Sequence, residues 1–172
     1  MTVDLGADDL RAVSAFAAIC AEEVLGLFEA DRPDDPRPAA AVATAWEFAR
    51  GGRRGKALRD AAWAAMRAAQ ESASEAADAA ARSAMAAAGA AYLHPLPNAT
   101  QVKHVLGAAA FAARALELAA GDDPAVGAAH LAEVSGRVGP EVVEVLLRYP
   151  PAPAGGGRVG ELTRLLDTAL RP

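Results

Sequence analysis

Alanine is the feature that most limits what this chain can fold into. It accounts for 48 of the 172 residues, whereas aromatic residues make up only 5%. Alanine is the strongest helix former because it loses no side-chain entropy in a helix. It also buries little apolar area, so helices rich in alanine must approach one another closely to form a core. The composition therefore predicts tightly packed helices around a thin core of larger apolar residues.

Proline and glycine divide the chain into segments of helical length. Residues 8–30 repeat apolar side chains at spacings of three and four, as one face of a helix does. Further helices are predicted over 38–50, 56–71, 72–92 and 159–170, with three more that begin near 98, 124 and 140, the first of which stops at Gly121. The segment 150–157, rich in proline and glycine, is expected to be a flexible surface loop. We predict an all-α, compact bundle of seven or eight helices, more than about 60% helical, with residues 1–172 forming a single domain.

Several side chains have predicted structural roles within this bundle. Ser72 and Glu75 are spaced as a capping box that would open the fourth helix. Trp46 and Trp63 lie on apolar helical faces and are expected to anchor the core, with an interface role as the alternative. Cys20 is the only cysteine, so it cannot form an internal disulfide and is expected to be a small buried hydrophobe.

Acidic residues are concentrated at the beginning of the chain. The net charge is −5, and residues 1–35 contain nine acidic residues against Arg11 and Arg32. This imbalance argues against nucleic-acid binding, which requires a dominant basic face. An acidic patch suits a basic protein partner, although it is also typical of a merely solvated surface. The residues predicted for this partner face are Glu22, Glu23, Glu29, Asp31, Asp34 and Asp35.

The hydrophobic fraction of 53% is inflated by alanine and does not indicate a membrane protein. No stretch of about 18 strongly apolar residues without charge occurs, so no membrane association is expected. Residues 1–4 are acidic rather than basic, which is unlike a secretory signal. A cytoplasmic location is the resulting expectation.

The most unusual stretch joins the fourth and fifth predicted helices. An aromatic ring, two imidazoles, an amide and an ammonium group gather around a turn that contains two prolines. The candidate binding residues are Tyr92, His94, Gln101, Lys103 and His104. This convergence indicates either a small binding site or a rigid turn that sets the angle between two helices. The histidine spacing does not match a helical zinc site, and no catalytic motif is present, so we expect no metal, no cofactor and no catalytic residue.

Several runs of residues resemble the bacterial group named putative immunity proteins, of the Imm-5-like type. These runs are 20–29, 34–38, Trp46 with Gly51, 58–62, 92–96, 99–104 and 107–114. The resemblance covers most of the chain. It implies an all-helical protein that neutralises a toxin by binding it, without a cofactor and without catalytic residues.

Three classes of function follow from these observations. The first is an immunity-like binding protein that contacts its partner through the acidic face or through the junction at 94–104. The second is a small-molecule- or metal-dependent activity at that junction. The third is a structural homo-oligomer that associates through the alanine-rich faces of residues 57–91.

Overall fold

The structure is a computed structural model that describes residues 1–172, and 73% of them are helical. The α-helices are α1 (Ala7–Asp31), α2 (Arg37–Ala49), α3 (Lys56–Gln70), α4 (Glu75–Gly89), α5 (Val102–Ala119), α6 (Pro124–Ser135), α7 (Pro140–Leu147) and α8 (Gly157–Leu170). Two short 3-10 turns, Ala90–Tyr92 and Ala99–Gln101, lie between α4 and α5. The all-α prediction is confirmed, and so is the number of helices. No helix combines the length and apolarity that crossing a membrane would need.

Helices α4 and α5 form the centre of the bundle and run antiparallel. The Ser83 hydroxyl on α4 donates to the carbonyl of Ala108 on α5 at 2.8 Å, and His104 on α5 contacts the carbonyl of Gly89 on α4 at 3.2 Å. Helices α1 and α3 pack against α4, while α1, α6 and α8 pack against α5. Many of the fully buried residues of α4 and α5 are alanine, so alanine forms much of these helix–helix interfaces. The alanine-rich face of α4 is therefore largely used inside the chain, whereas of the α3 alanines only Ala65, Ala68 and Ala69 are buried.

The apolar face predicted for α1 is buried. Val13, Ala17, Cys20, Val24 and Phe28 are at most 1% exposed. Burial raises the pKa of the Cys20 thiol to about 12, so the thiolate is nearly absent at neutral pH. Cys20 is a buried hydrophobe, as its position in the helical pattern predicted.

Two local predictions are wrong, and the predicted loop has contacts that the sequence did not show. Ser74, not Ser72, caps α4, since its hydroxyl accepts from the backbone N–H of Ala77, while Ser72 donates to the carbonyl of Ala68. Trp63 is 59% exposed rather than in the core, because it borders an open cleft that α4, α5 and α8 also line. The 150–157 segment is a surface loop, as predicted, and Arg164 and Asp167 of α8 hydrogen bond its backbone.

Candidate functional site

The residues predicted to converge at the α4–α5 junction divide into three groups. Tyr92 turns toward the loop before α3, where its hydroxyl donates to the carbonyl of Gly55 at 2.7 Å. The guanidinium groups of Arg54 and Arg59 lie over its ring, 5.9 and 5.5 Å from the centroid. Tyr92 therefore fixes the basic turn between α2 and α3 and does not share a site with the histidines.

Gln101 and His94 hold the junction loop together. The buried side chain of Gln101 accepts a hydrogen bond from the backbone N–H of His94 at 2.9 Å. The carbonyl of His94 accepts from the hydroxyl of Tyr149 at 2.7 Å, which ties the loop to the segment after α7. The side chain of His94 itself is exposed, with its ring 6.3 Å from the ring of His104 in an edge-to-face arrangement. These contacts support the rigid-turn interpretation for this part of the junction.

Lys103 and His104 line a cleft of about 750 Å³ that the sequence did not reveal. Its floor is formed by α4 and α5, where Ala86 and Gly107 are too small to fill the space. Trp63 and Met66 of α3 form one wall, and residues 152–156 with Val159 of α8 form the other. A volume of this size is typical of small-molecule sites, which lie between roughly 300 and 1,000 Å³. The cleft combines this volume with polar side chains from two helices, Arg82 of α4 and Lys103 and His104 of α5.

The tautomer of His104 follows from its hydrogen bond. The carbonyl of Gly89 can only accept, so Nδ1 of His104 donates to it over 3.2 Å. Burial lowers the pKa of His104, which keeps the ring neutral at neutral pH. Nε2 then carries a lone pair and makes no hydrogen bond within the chain. The imidazole therefore presents an acceptor, not a positive charge.

Four of the six carboxylates predicted for the partner face make contacts within the chain. Glu22 accepts from the indole N–H of Trp46 at 2.5 Å, and Glu23 pairs with Arg137. Asp31 accepts from the backbone N–H of Ala73, and Asp35 binds Arg37 through both carboxylate oxygens. The Arg37 guanidinium lowers the pKa of Asp35.

The other two carboxylates, Glu29 and Asp34, are exposed and make no hydrogen bond or ion pair. They lie at the end of α1 and in the turn that follows it. Further along the outward side of α1, Ile19 is 44% exposed, one turn before Glu22. This surface therefore combines an exposed aliphatic side chain, a half-buried tryptophan and two unpaired negative charges.

A buried charged cluster beneath α8 was missed by the sequence reasoning. Glu117 of α5 is fully buried and accepts hydrogen bonds from Arg158 and Arg114. Arg158 Nη2 lies 2.5 Å from one carboxylate oxygen, and Arg114 Nη1 lies 2.9 Å from the other. A glutamate near the end of an alanine-rich helix is usually solvated, so nothing in the sequence indicates that Glu117 is buried and paired with arginines. The cluster fastens α8 to α5.

No group of three or more histidine, cysteine, aspartate or glutamate side chains is arranged to hold a metal ion.

The sequence model of one protein family, described as Imm-5 like putative immunity protein, matches residues 4–136. That span is well over half of the chain. The chain belongs to this family. No curated protein and no solved structure matches the chain significantly.

Membership in the Imm-5 like family implies a protein partner in general, since immunity proteins act on other proteins. The matched residues contain α1 to α6 and end just before α7. They include the whole acidic surface of α1 and the α3, α4 and α5 sides of the cleft. The opposite wall of the cleft, residues 152–156 and α8, lies beyond the match.

The two partly buried histidines make the stability of this family member depend on pH. Burial lowers the pKa of His104 and of His130 in the folded chain, whereas in the unfolded chain both titrate near 6.5. The unfolded chain then binds more protons, so their contribution to stability is complete above pH 6.5 and is lost as the pH falls toward the folded pKa. We expect the free energy of unfolding, measured with urea, to fall between pH 7.5 and pH 5.

The control for this measurement is the exposed His94. Replacing His104 and His130 together with glutamine should flatten the pH dependence, while His94→Gln should leave it unchanged. A double variant that keeps the slope of the unmodified protein would assign the acid sensitivity to other groups.

Proposed function

We propose that this chain is an immunity protein that neutralises a toxin by binding it, without catalysis. The observation that carries this proposal is the family match over residues 4–136. An immunity protein has to offer a pre-formed surface to its partner, because ordering flexible segments on binding reduces affinity. A closely packed helical bundle with ion-paired loops meets that requirement.

The outward surface of α1 is the contact that we propose for the partner. Ile19 gives it an exposed aliphatic side chain, and Trp46 lies beside Glu22, to which it is hydrogen bonded. The guanidinium of Arg50 covers the Trp46 ring at 4.8 Å from the centroid. Tryptophan and arginine are enriched among the residues that contribute most to protein–protein binding. This surface therefore has the chemistry of an interface centre.

Glu29 and Asp34 would form the charged rim of this interface. Because neither carboxylate is paired within the chain, both are available to attract a basic partner. Charges at a rim mainly change the rate of encounter, and their effect is screened by salt. The proposed partner is accordingly a toxin with a basic surface around its contact site.

The test uses the product of a neighbouring reading frame as the partner, in a growth-protection assay and in binding kinetics. At low salt we expect the double variant Glu29→Lys/Asp34→Lys to associate about tenfold more slowly, with a much smaller change in dissociation. The same association rate should fall steeply with salt for the unmodified chain. Neither carboxylate has a hydrogen-bond partner to lose, so the folding cost should be within about 0.5 kcal/mol for each.

A matched control carries the same charge change elsewhere on the surface. This control is the double variant Asp60→Lys/Glu144→Lys. In the unmodified chain Glu144 makes no ion pair and Asp60 pairs only with the exposed Lys56, so the fold should tolerate both changes. This control should associate at the unmodified rate. Equal slowing by both doubles would show a general charge effect and contradict the α1 contact. No binding and no protection by the unmodified chain would contradict the immunity function for that partner.

A further inference from the structure

The cleft between α3 and α8 carries a charge that is opposite to that of the chain as a whole. Arg82 and Lys103 line it, and no aspartate or glutamate does, although the net charge of the chain is −5. The remainder of the lining is largely apolar or small, including Trp63, Met66 and Phe111. An uncompensated cation beside apolar walls favours a ligand that is itself part apolar and part negative.

The two cations are not equivalent. Arg82 Nε lies 2.6 Å from Asp78, so part of its charge is already neutralised, and its Nη1 faces only the sulfur of Met66 at 3.3 Å. Lys103 makes no ion pair and no hydrogen bond within the chain. Lys103 is therefore the stronger attraction for an anion, whereas Arg82 retains N–H groups with only a weak acceptor nearby.

The cleft has a polar end at Lys103, and the floor between Lys103 and Arg82 is apolar. Arg82 lies seven residues before Gly89 on α4, which places it about 10 Å along the helix axis from the end where Lys103 and His104 lie. Between them the floor is formed by Ala86 and Gly107, whose β-carbon positions would be 3.8 Å apart. At the Lys103 end, Nε2 of His104 can only accept a hydrogen bond, so Lys103 alone supplies the attraction for an anionic group.

We propose that this cleft binds a small organic acid with an elongated apolar body, whose anionic group lies at the Lys103 end. The apolar body lies along the floor between Trp63 and Val159. This site is separate from the α1 surface, since none of the residues proposed there lines the cleft. Ligand binding in the cleft can therefore be tested independently of the immunity function.

The experiment measures ligand binding through the fluorescence of Trp63. The chain contains two tryptophans, so Trp46→Phe leaves Trp63, at the wall of the cleft and 59% exposed, as the only one. The probes are decanoate and decanol, which share an apolar chain of about the length of the cleft and differ in charge. Decanoate should shift the Trp63 emission to shorter wavelength as it covers the ring, and should bind more tightly than decanol.

Lysine occurs only at positions 56 and 103, which provides a matched pair of variants. In the Trp46→Phe background, Lys103→Gln should raise the Kd for decanoate about fivefold and leave that for decanol unchanged. Lys56→Gln, at an exposed lysine outside the cleft, should change neither. Ala86→Phe should fill the floor and abolish binding of both probes, while circular dichroism reports whether the helices are retained.

Three outcomes would overturn the proposal. Equal affinity for decanoate and decanol would remove the preference for an anion. Equal weakening by Lys103→Gln and Lys56→Gln would show attraction to the protein surface in general. Absence of any emission change with either probe at millimolar concentration, in a folded chain, would show that the cleft does not take ligands of this class.

Discussion

Replacing Glu117 with alanine is expected to lower the free energy of unfolding by about 3 kcal/mol. The carboxylate is fully buried and accepts from two arginines that come from different helices. Its loss leaves Arg158 without its main partner and Arg114 with Asp122 alone, and it opens a cavity between α5 and α8. Because both arginines are partly exposed, water can solvate them after the substitution. The expected loss in free energy of unfolding is therefore at the low end of the range for broken buried ion pairs. Equilibrium unfolding in urea measures the effect.

The control is the exposed carboxylate on the same arginine. Glu161 binds Arg158 at 3.0 Å but is 59% exposed, so Glu161→Ala should cost no more than about 0.5 kcal/mol. Similar losses for the two variants would show that burial is not what gives Glu117 its importance.

Gly127 provides an independent probe of the same cluster. A β-carbon at this position of α6 would lie 2.7 Å from both Cγ and Cδ of Glu117. Glu117 cannot move away without losing its arginines, so Gly127→Ala should also destabilise the chain, despite the higher helix propensity of alanine. In the Glu117→Ala background the same substitution should cost much less, because the clashing atoms are absent.

Replacing Gly160 with alanine is expected to lower the free energy of unfolding by about 2 kcal/mol and to disturb the cleft wall. A β-carbon on Gly160 would overlap the carbonyl oxygen of Gly155. That oxygen is held by Arg164 Nη1 at 2.7 Å, so the loop cannot simply give way. An overpacking cost of about 3 kcal/mol is offset by about 1 kcal/mol of helix propensity.

Two measurements separate this clash from a general effect of changing a glycine. Gly26→Ala, in the exposed middle of α1 with nothing near its β-carbon position, should be neutral or stabilising by up to about 1 kcal/mol. Decanoate binding should weaken in Gly160→Ala and not in Gly26→Ala. A Gly160→Ala chain as stable as the unmodified one would show that the loop moves freely, as the sequence had suggested.

The sequence predicted the surface loop but not its hydrogen bonds, because composition does not show which distant side chains reach its backbone. Three consecutive glycines, 155 to 157, adopt positive φ, which only glycine adopts readily, and this pattern usually indicates flexibility. Here Arg164 binds the carbonyls of Pro153 and Gly155, and Asp167 accepts from the backbone N–H of Ala152. These side chains lie 9 to 15 residues away in sequence and reach the loop only after α8 has folded back beside it.

The candidate binding residues were only partly recognisable. Lys103 and His104 line the cleft, but Trp63, Arg82 and Val159 complete it from three other helices. No spacing within α5 indicates which distant side chains lie opposite. The acidic face was similarly incomplete, because the sequence showed the carboxylates of residues 22–35 but not that Arg137, Trp46 and the backbone of Ala73 bind three of them.

The sequence by itself determined the all-helical fold, the helix boundaries to within a few residues, the buried face of α1 and the family. These properties depend on helix propensity, on apolar spacing of three and four, and on proline and glycine, all of which act over a few residues. The tertiary structure alone decided the Glu117 cluster, the hydrogen bonds of the 150–157 loop, the cleft and the unpaired carboxylates. Each of these depends on which charged or bulky side chains meet across helices, such as Glu117 and Arg158, 41 positions apart. Such pairings arise from packing and leave no periodic pattern in the chain.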